Sequence, residues 1–130
     1  MSQASNLRDA IVSIGDYAVG SDAARRNRLR LAVTEQLATR ALRVRMLGSA
    51  AIDLAWLAEG WLGASITLVN NPWDMTAGVI LAREAGAQVV DWDGSQYTFD
   101  SAATIAVVPH LLSEVIDLIR QAGGGSAASA

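Results

Sequence analysis

Asn70-Asn71-Pro72-Trp73-Asp74-Met75-Thr76-Ala77-Gly78, running on to Ala82-Arg83-Glu84-Ala85-Gly86, decides how this 130-residue chain folds. Ala64 to Val69 in front of it is a short apolar run of strand length, and the Asn-Asn-Pro sequence breaks it. A helix is predicted from near Trp73 to Ala85, with Gly86 placed to end it. Ala87 to Asp91 reads as the next strand, closed by the turn pair Asp93-Gly94. Strand, helix and strand in immediate succession are the unit of an α/β layer.

The same alternation extends in both directions. Upstream, the strand around Ala10-Ile11-Val12 ends at the turn Gly15-Asp16. Ser21-Asp22 caps a helix predicted from Ala23 to about Arg40, with Leu29, Val33 and Leu37 inside and Arg26, Arg30 and Glu35 toward water. Leu42 to Met46 alternates apolar and polar as a strand does. Ser49 then caps a helix that runs to Glu59 and stops at Gly60. Downstream, Thr104 to Val108 is a strand ended by Pro109, and His110 to Gln121 is an amphipathic helix. The order βαβαβαββα predicts an α/β fold with a mixed or mostly parallel sheet covered by helices. Residues 8–122 are read as one domain, 1–7 as a polar arm, and the Gly/Ser/Ala run 123–130 as a disordered tail.

Composition narrows the class. The chain is 52% hydrophobic and only 18% charged, which in a small domain points to an apolar face that something else covers. Cysteine is absent, so disulfides and zinc–thiolate sites are excluded. No apolar run approaches the roughly 18 residues needed to span a bilayer. A cytoplasmic location and no membrane partner are the expectation. The net charge is −3, and the cluster Arg25, Arg26, Arg28 and Arg30 is read as a solvated helix face. An acidic domain with one short basic stretch is a poor nucleic-acid binder.

The segment Trp73-Asp74-x-x-Ala77-Gly78, followed in register by Glu84-Ala85-Gly86, resembles the C-terminal signature of the inositol monophosphatase family. The likeness covers roughly residues 8–120 and implies a layered α/β domain like the C-terminal half of that fold. In the family the Asp of the Trp-Asp pair binds a catalytic magnesium ion, a role that falls here on Asp74. The family's other metal carboxylates come from an N-terminal half, in a Glu-Glu pair and an Asp-Pro-Ile/Leu-Asp-Gly stretch. Neither occurs in these residues. The alternative for Asp74 is an N-cap, with its carboxylate accepting a backbone N–H.

The turn Gly48-Ser49-Ala50 resembles the family's Gly-Ser/Thr-Ala turn, whose backbone contacts substrate. Free N–H groups at a helix start attract anions, and glycine permits close approach. Seven residues before Asp74, where relatives that act on inositol phosphate carry a Glu, this chain has Thr67. Thr67 therefore speaks against inositol itself and leaves another sugar phosphate, a nucleotide phosphate or histidinol phosphate open as substrate; the alternative is that Thr67 is simply a strand residue. His110 is read as a cap or surface residue, Asp91-Asp93-Gly94 as a turn, and Trp56, Trp61 and Trp92 as packing residues.

The resemblance implies the C-terminal part of a magnesium-dependent phosphomonoester phosphatase, inactive without its N-terminal half. A homo-oligomer or the missing half would cover the apolar face. The alternative is a non-catalytic dimerisation or partner-completing module derived from the same family.

Overall fold

The computed structural model describes residues 1–123, so the predicted tail at 124–130 lies outside the described residues. The strands are β1 (Ile11–Ile14), β2 (Arg43–Arg45), β3 (Ala64–Thr67), β4 (Gln88–Val90) and β5 (Thr104–Val107). They form one mixed sheet in the order β2-β1-β3-β5-β4. β1 pairs in parallel with β2 and β3, while β5 runs antiparallel to both β3 and β4. The helices are α1 (Ala23–Arg26), α2 (Arg28–Arg40), α3 (Ala50–Glu59), α4 (Pro72–Glu84) and α5 (Leu112–Gly123). Element order and class follow the sequence pattern.

β5 is buried at all four positions and β3 at three of four, which requires cover on both faces of the sheet. The pair α3 and α4 supplies one cover and the pair α2 and α5 the other. Val12, Leu37, Leu57, Ile66, Ile105 and Leu118 close the core between them. The closest helix contact passes through Gly78 of α4. A Cβ there would stand 2.4 Å from Leu54 Cδ1 of α3, so a larger residue would force Leu54 to move. The Gly of the motif is thus a packing device between helices.

Local chemistry sets the helix ends. Ile52 N–H donates to Ser49 Oγ at 3.3 Å, as the sequence predicts for the cap of α3. Gly48 before it has φ +76°, and Gly60 and Gly86 after α3 and α4 have φ +94° and +99°. Left-handed backbone at these positions favours glycine.

Three expectations need correction. The single helix over 23–40 is divided at Asn27 into α1 and α2. The Asn27 side chain grips the incoming loop: Ala18 N–H donates to Asn27 Oδ1 at 2.7 Å, and Asn27 Nδ2 donates to Ala18 O at 2.9 Å. Arg30, assigned to the solvated face, is half-buried and borders a pocket. Leu42 lies ahead of β2 and is 53% exposed, because β2 is a sheet edge. In the N-terminal segment Leu7 is buried; its N–H donates to Glu114 Oε1 of α5, and its carbonyl accepts from Leu42 N–H.

Candidate functional site

β1 and β3 lie side by side and parallel, and Gly15 N–H donates to Ile66 O where they end. Beyond their carboxyl ends the chain diverges. β1 leads to α2 on one face of the sheet and β3 leads to α4 on the other. Such a divergence opens a crevice, the usual ligand position in open α/β sheets. Here it is a cleft of about 470 Å³.

Gly15 and Asp16 border the cleft from β1, and Thr67 and Val69 from β3. Gly48, Ser49, Ala50, Ala51 and Asp53 come from the start of α3, and Asn71, Asp74 and Met75 from the start of α4. Gly48, Ser49, Ala50, Thr67 and Asp74, proposed from sequence, therefore border one cavity. Two helix N-termini open into it beside three acidic side chains, Asp16, Asp53 and Asp74.

Asp74 is not a cap. The N-cap of α4 is Asn71, and Asp74 is the third helical residue, with its N–H donating to Asn71 O at 2.9 Å. Its carboxylate is exposed and makes no hydrogen bond or ion pair with any described residue. A free carboxylate in the first turn of a helix is favoured by the helix dipole and remains available to a cation.

Asp16 and Asp53 are the residues that sequence reasoning missed. Asp53 is 2% exposed and its pKa is pushed up to about 6, chiefly by burial. The Ser13 hydroxyl pulls in the opposite direction and the Asp16 charge adds to the rise. Even so, Ser13 Oγ and Asp53 Oδ1 both lack a hydrogen bond of good geometry. The available signal was a lone acid inside the apolar run Ala50–Ala58; Asp16 was indistinguishable from an ordinary turn residue. Among the described residues no group of three or more His, Cys, Asp or Glu is placed to hold a metal ion.

The long β4–β5 connection is tied to Asn70, just ahead of α4. Asn70 Nδ2 donates to Phe99 O at 3.1 Å and Ser101 O at 2.8 Å, while Tyr97 Oη donates to Asn70 Oδ1 at 2.7 Å. Trp73 meets Phe99 edge to face at 5.2 Å. Asp91 accepts from the N–H groups of Trp92, Ala102 and Ala103, and Ser95 bonds hold Asp93 below the ordinary carboxylate range. The pair Asp91 and Asp93 serves the turn, as the sequence suggested. His110 is exposed, bonds to Ala4 O, and does not border the cleft. No helix among the described residues is long and apolar enough to cross a membrane.

Comparison with known proteins agrees with this geometry. The model of the inositol monophosphatase family matches residues 1–123. An inositol-1-monophosphatase of Mycolicibacterium smegmatis is 34% identical over 117 residues, covering 90% of this chain and 42% of that protein. A fructose-1,6-bisphosphatase/inositol-1-monophosphatase of Thermotoga maritima is 33% identical over 92 residues, covering 65% of this chain and 36% of the relative. Among solved structures, a Thermotoga maritima IMPase superposes with a TM-score of 0.83 at 27% identity, covering 95% of this chain and 45% of that one. The chain thus spans less than half the length of the relatives it matches. By sequence and by fold, it belongs to the inositol monophosphatase family.

Proposed function

We propose that this chain forms one wall of a magnesium-dependent phosphomonoesterase site, corresponding to the C-terminal half of the family's enzymes. The observation that carries this reading is the convergence of the free Asp74 carboxylate with the N-termini of α3 and α4 on one cleft. Asp74 would contribute one oxygen ligand to a magnesium ion, since hard cations take carboxylates and substrate phosphate together. Bound magnesium would neutralise phosphate charge and activate a water. One carboxylate makes an incomplete site, so the remaining ligands would come from an N-terminal half.

The chain's own residues do the rest. Backbone N–H groups at Gly48, Ser49 and Ala50 bind and orient the oxygen-rich part of the ester. Thr67 offers one uncharged hydroxyl to the alcohol. Asn70 holds the β4–β5 connection beside the helix start that carries Asp74. The substrate is a phosphorylated small molecule.

The test is phosphate release from inositol 1-phosphate and glycerol 2-phosphate with magnesium. It is measured for the 130-residue chain alone and for the same chain fused behind the N-terminal half of the Thermotoga maritima relative. No turnover alone and turnover in the fusion are expected. Turnover by the chain alone that disappears in Asp74→Ala would overturn the half-site reading, and a folded but inactive fusion would overturn the phosphatase reading. The exposed side chains of Trp73, Ile80 and Leu81 favour a second reading, a non-catalytic module that dimerises or completes a partner. An inactive fusion together with stable self-association would select it.

A further inference from the structure

A second, smaller pocket of about 140 Å³ opens beside the cleft and shares Gly15, Asp16, Thr67 and Val69 with it. Its interior is carbon: Ile14 of β1, Ile66 of β3, Leu68 beyond β3, and Val33 of α2. Tyr17 and Arg30 complete the wall. We propose that this pocket receives an apolar ring or branched alkyl group carried by the alcohol whose phosphate ester occupies the cleft. The proposal rests on the phosphomonoesterase reading and adds a substrate class to it.

Size supports one ring. An apolar cavity of roughly 150 Å³ accepts benzene. Chemistry disfavours a polyol in the pocket. Thr34 Oγ1 donates to Arg30 O at 2.9 Å, so at its 2.6 Å contact with Tyr17 Oη it must accept, and the Tyr17 proton is committed there. Beside the charged Asp16 and Arg30, the Thr67 hydroxyl is then the one neutral side-chain donor left on the wall, and hydroxyls seated among Ile14, Val33, Ile66 and Leu68 would find few partners.

The pocket is also held in place. Asn27 ties both backbone groups of Ala18 to the α1–α2 junction, and Tyr17 is bonded to α2. The loop that forms the outer wall is therefore fixed before any ligand arrives, which limits the ordering cost of binding. Gly15 keeps the passage open: a Cβ there would lie 3.1 Å from Thr67 Cγ2 and push the shared wall aside.

The test has two arms. In the first, benzyl alcohol and glycerol are titrated separately into the isotopically labelled 130-residue chain. Benzyl alcohol should shift the amides of Tyr17 and Leu68, and glycerol should not. Leu68→Trp, which fills the pocket, should weaken the benzyl alcohol response at least tenfold. Val33→Ala, which widens it, should admit 2-naphthylmethanol. In the second arm, the fusion enzyme hydrolyses benzyl phosphate and glycerol 2-phosphate. The kcat/KM ratio should favour benzyl phosphate by at least tenfold and collapse in Leu68→Trp, while the glycerol 2-phosphate rate is retained. Equal rates for the two esters, or no amide shifts from benzyl alcohol in wild type and Val33→Ala, would overturn the proposal. Benzyl alcohol bound at the pocket with neither ester hydrolysed would overturn the phosphatase reading and leave a ring-binding site.

Discussion

Ser13 of β1 and Asp53 of α3 meet beneath the cleft, and neither Ser13 Oγ nor Asp53 Oδ1 completes a hydrogen bond. A buried acid in this position is more stable neutral. Its folded pKa of about 6 exceeds the ordinary 3.8, so the native state binds more protons than the unfolded state between those values. The stabilising contribution is full below about pH 4 and is lost as pH rises through about 6. The loss is on the order of 3 kcal/mol at about 1.4 kcal/mol per pKa unit. Asp53→Asn should remove this slope and be the more stable protein at pH 7.5. Urea unfolding of both proteins at pH 4.5 and 7.5 checks it; a pH-independent difference between them would refute a titrating Asp53. Asp16→Asn should move the transition to lower pH, because the Asp16 charge raises it.

Asp74 occupies the third position of α4, so its replacement separates stability from function. Asp74→Asn loses only the interaction of the charge with the helix dipole, about 0.3–1 kcal/mol. In the fusion enzyme the same change should reduce turnover by orders of magnitude and weaken magnesium dependence. Activity across a magnesium titration, read beside the melting temperature of the metal-free protein, decides the matter. Wild-type rates at ordinary magnesium would remove Asp74 from the site.

Gly78 illustrates packing overriding helix propensity. Alanine is better than glycine in a helix by about 1 kcal/mol. The 2.4 Å approach to Leu54 Cδ1 reverses this, since overpacking costs about 1–3 kcal/mol. Gly78→Ala should lower the melting temperature, and should cost much less in a Leu54→Ala background. Equal cost in both backgrounds, by thermal unfolding, would show that Leu54 is not the obstacle.

Trp73, Ala77, Ile80 and Leu81 are exposed at i, i+4, i+7 and i+8 of α4, and Ile52 is exposed on the neighbouring α3. Burying about 600 Å² of such surface would contribute on the order of 15 kcal/mol before the costs of association. The chain alone should therefore form dimers or larger species, and the double change Ile80→Asp with Leu81→Asp should yield monomers. Light scattering at high micromolar concentration reads both, and a wild-type monomer that binds no hydrophobic dye would contradict the expectation.

What was legible in the sequence depended on how local the governing interaction is. Ser49 and the glycines at 48, 60 and 86 act within a turn, and their roles followed from residue type. Asn27 was missed as a helix break because its partner, Ala18, lies nine residues back and has no pattern of its own. Leu42 carries a core residue's chemistry at a sheet edge, a position fixed by strand order. Asp16 and Asp53 reach the same cleft from a strand and a helix more than thirty residues apart. Family motifs pointed to Asp74 and the 48–50 turn, which border the cleft, while the ionisable floor under them emerged only from the fold.

The reversed direction of β5 brings the 91–103 connection to the same edge of the sheet as the cleft, and leaves short links at the opposite edge. The tryptophans divide accordingly. Trp73, packed on Phe99, sits at the cleft edge, whereas Trp56 and Trp61, 5.1 Å apart, sit where α3 ends at the far edge. Indole emission from the two edges can therefore be separated by replacing one set with Phe. The far pair follows unfolding of the whole sheet, while Trp73 and Trp92 report on the edge that holds the cleft.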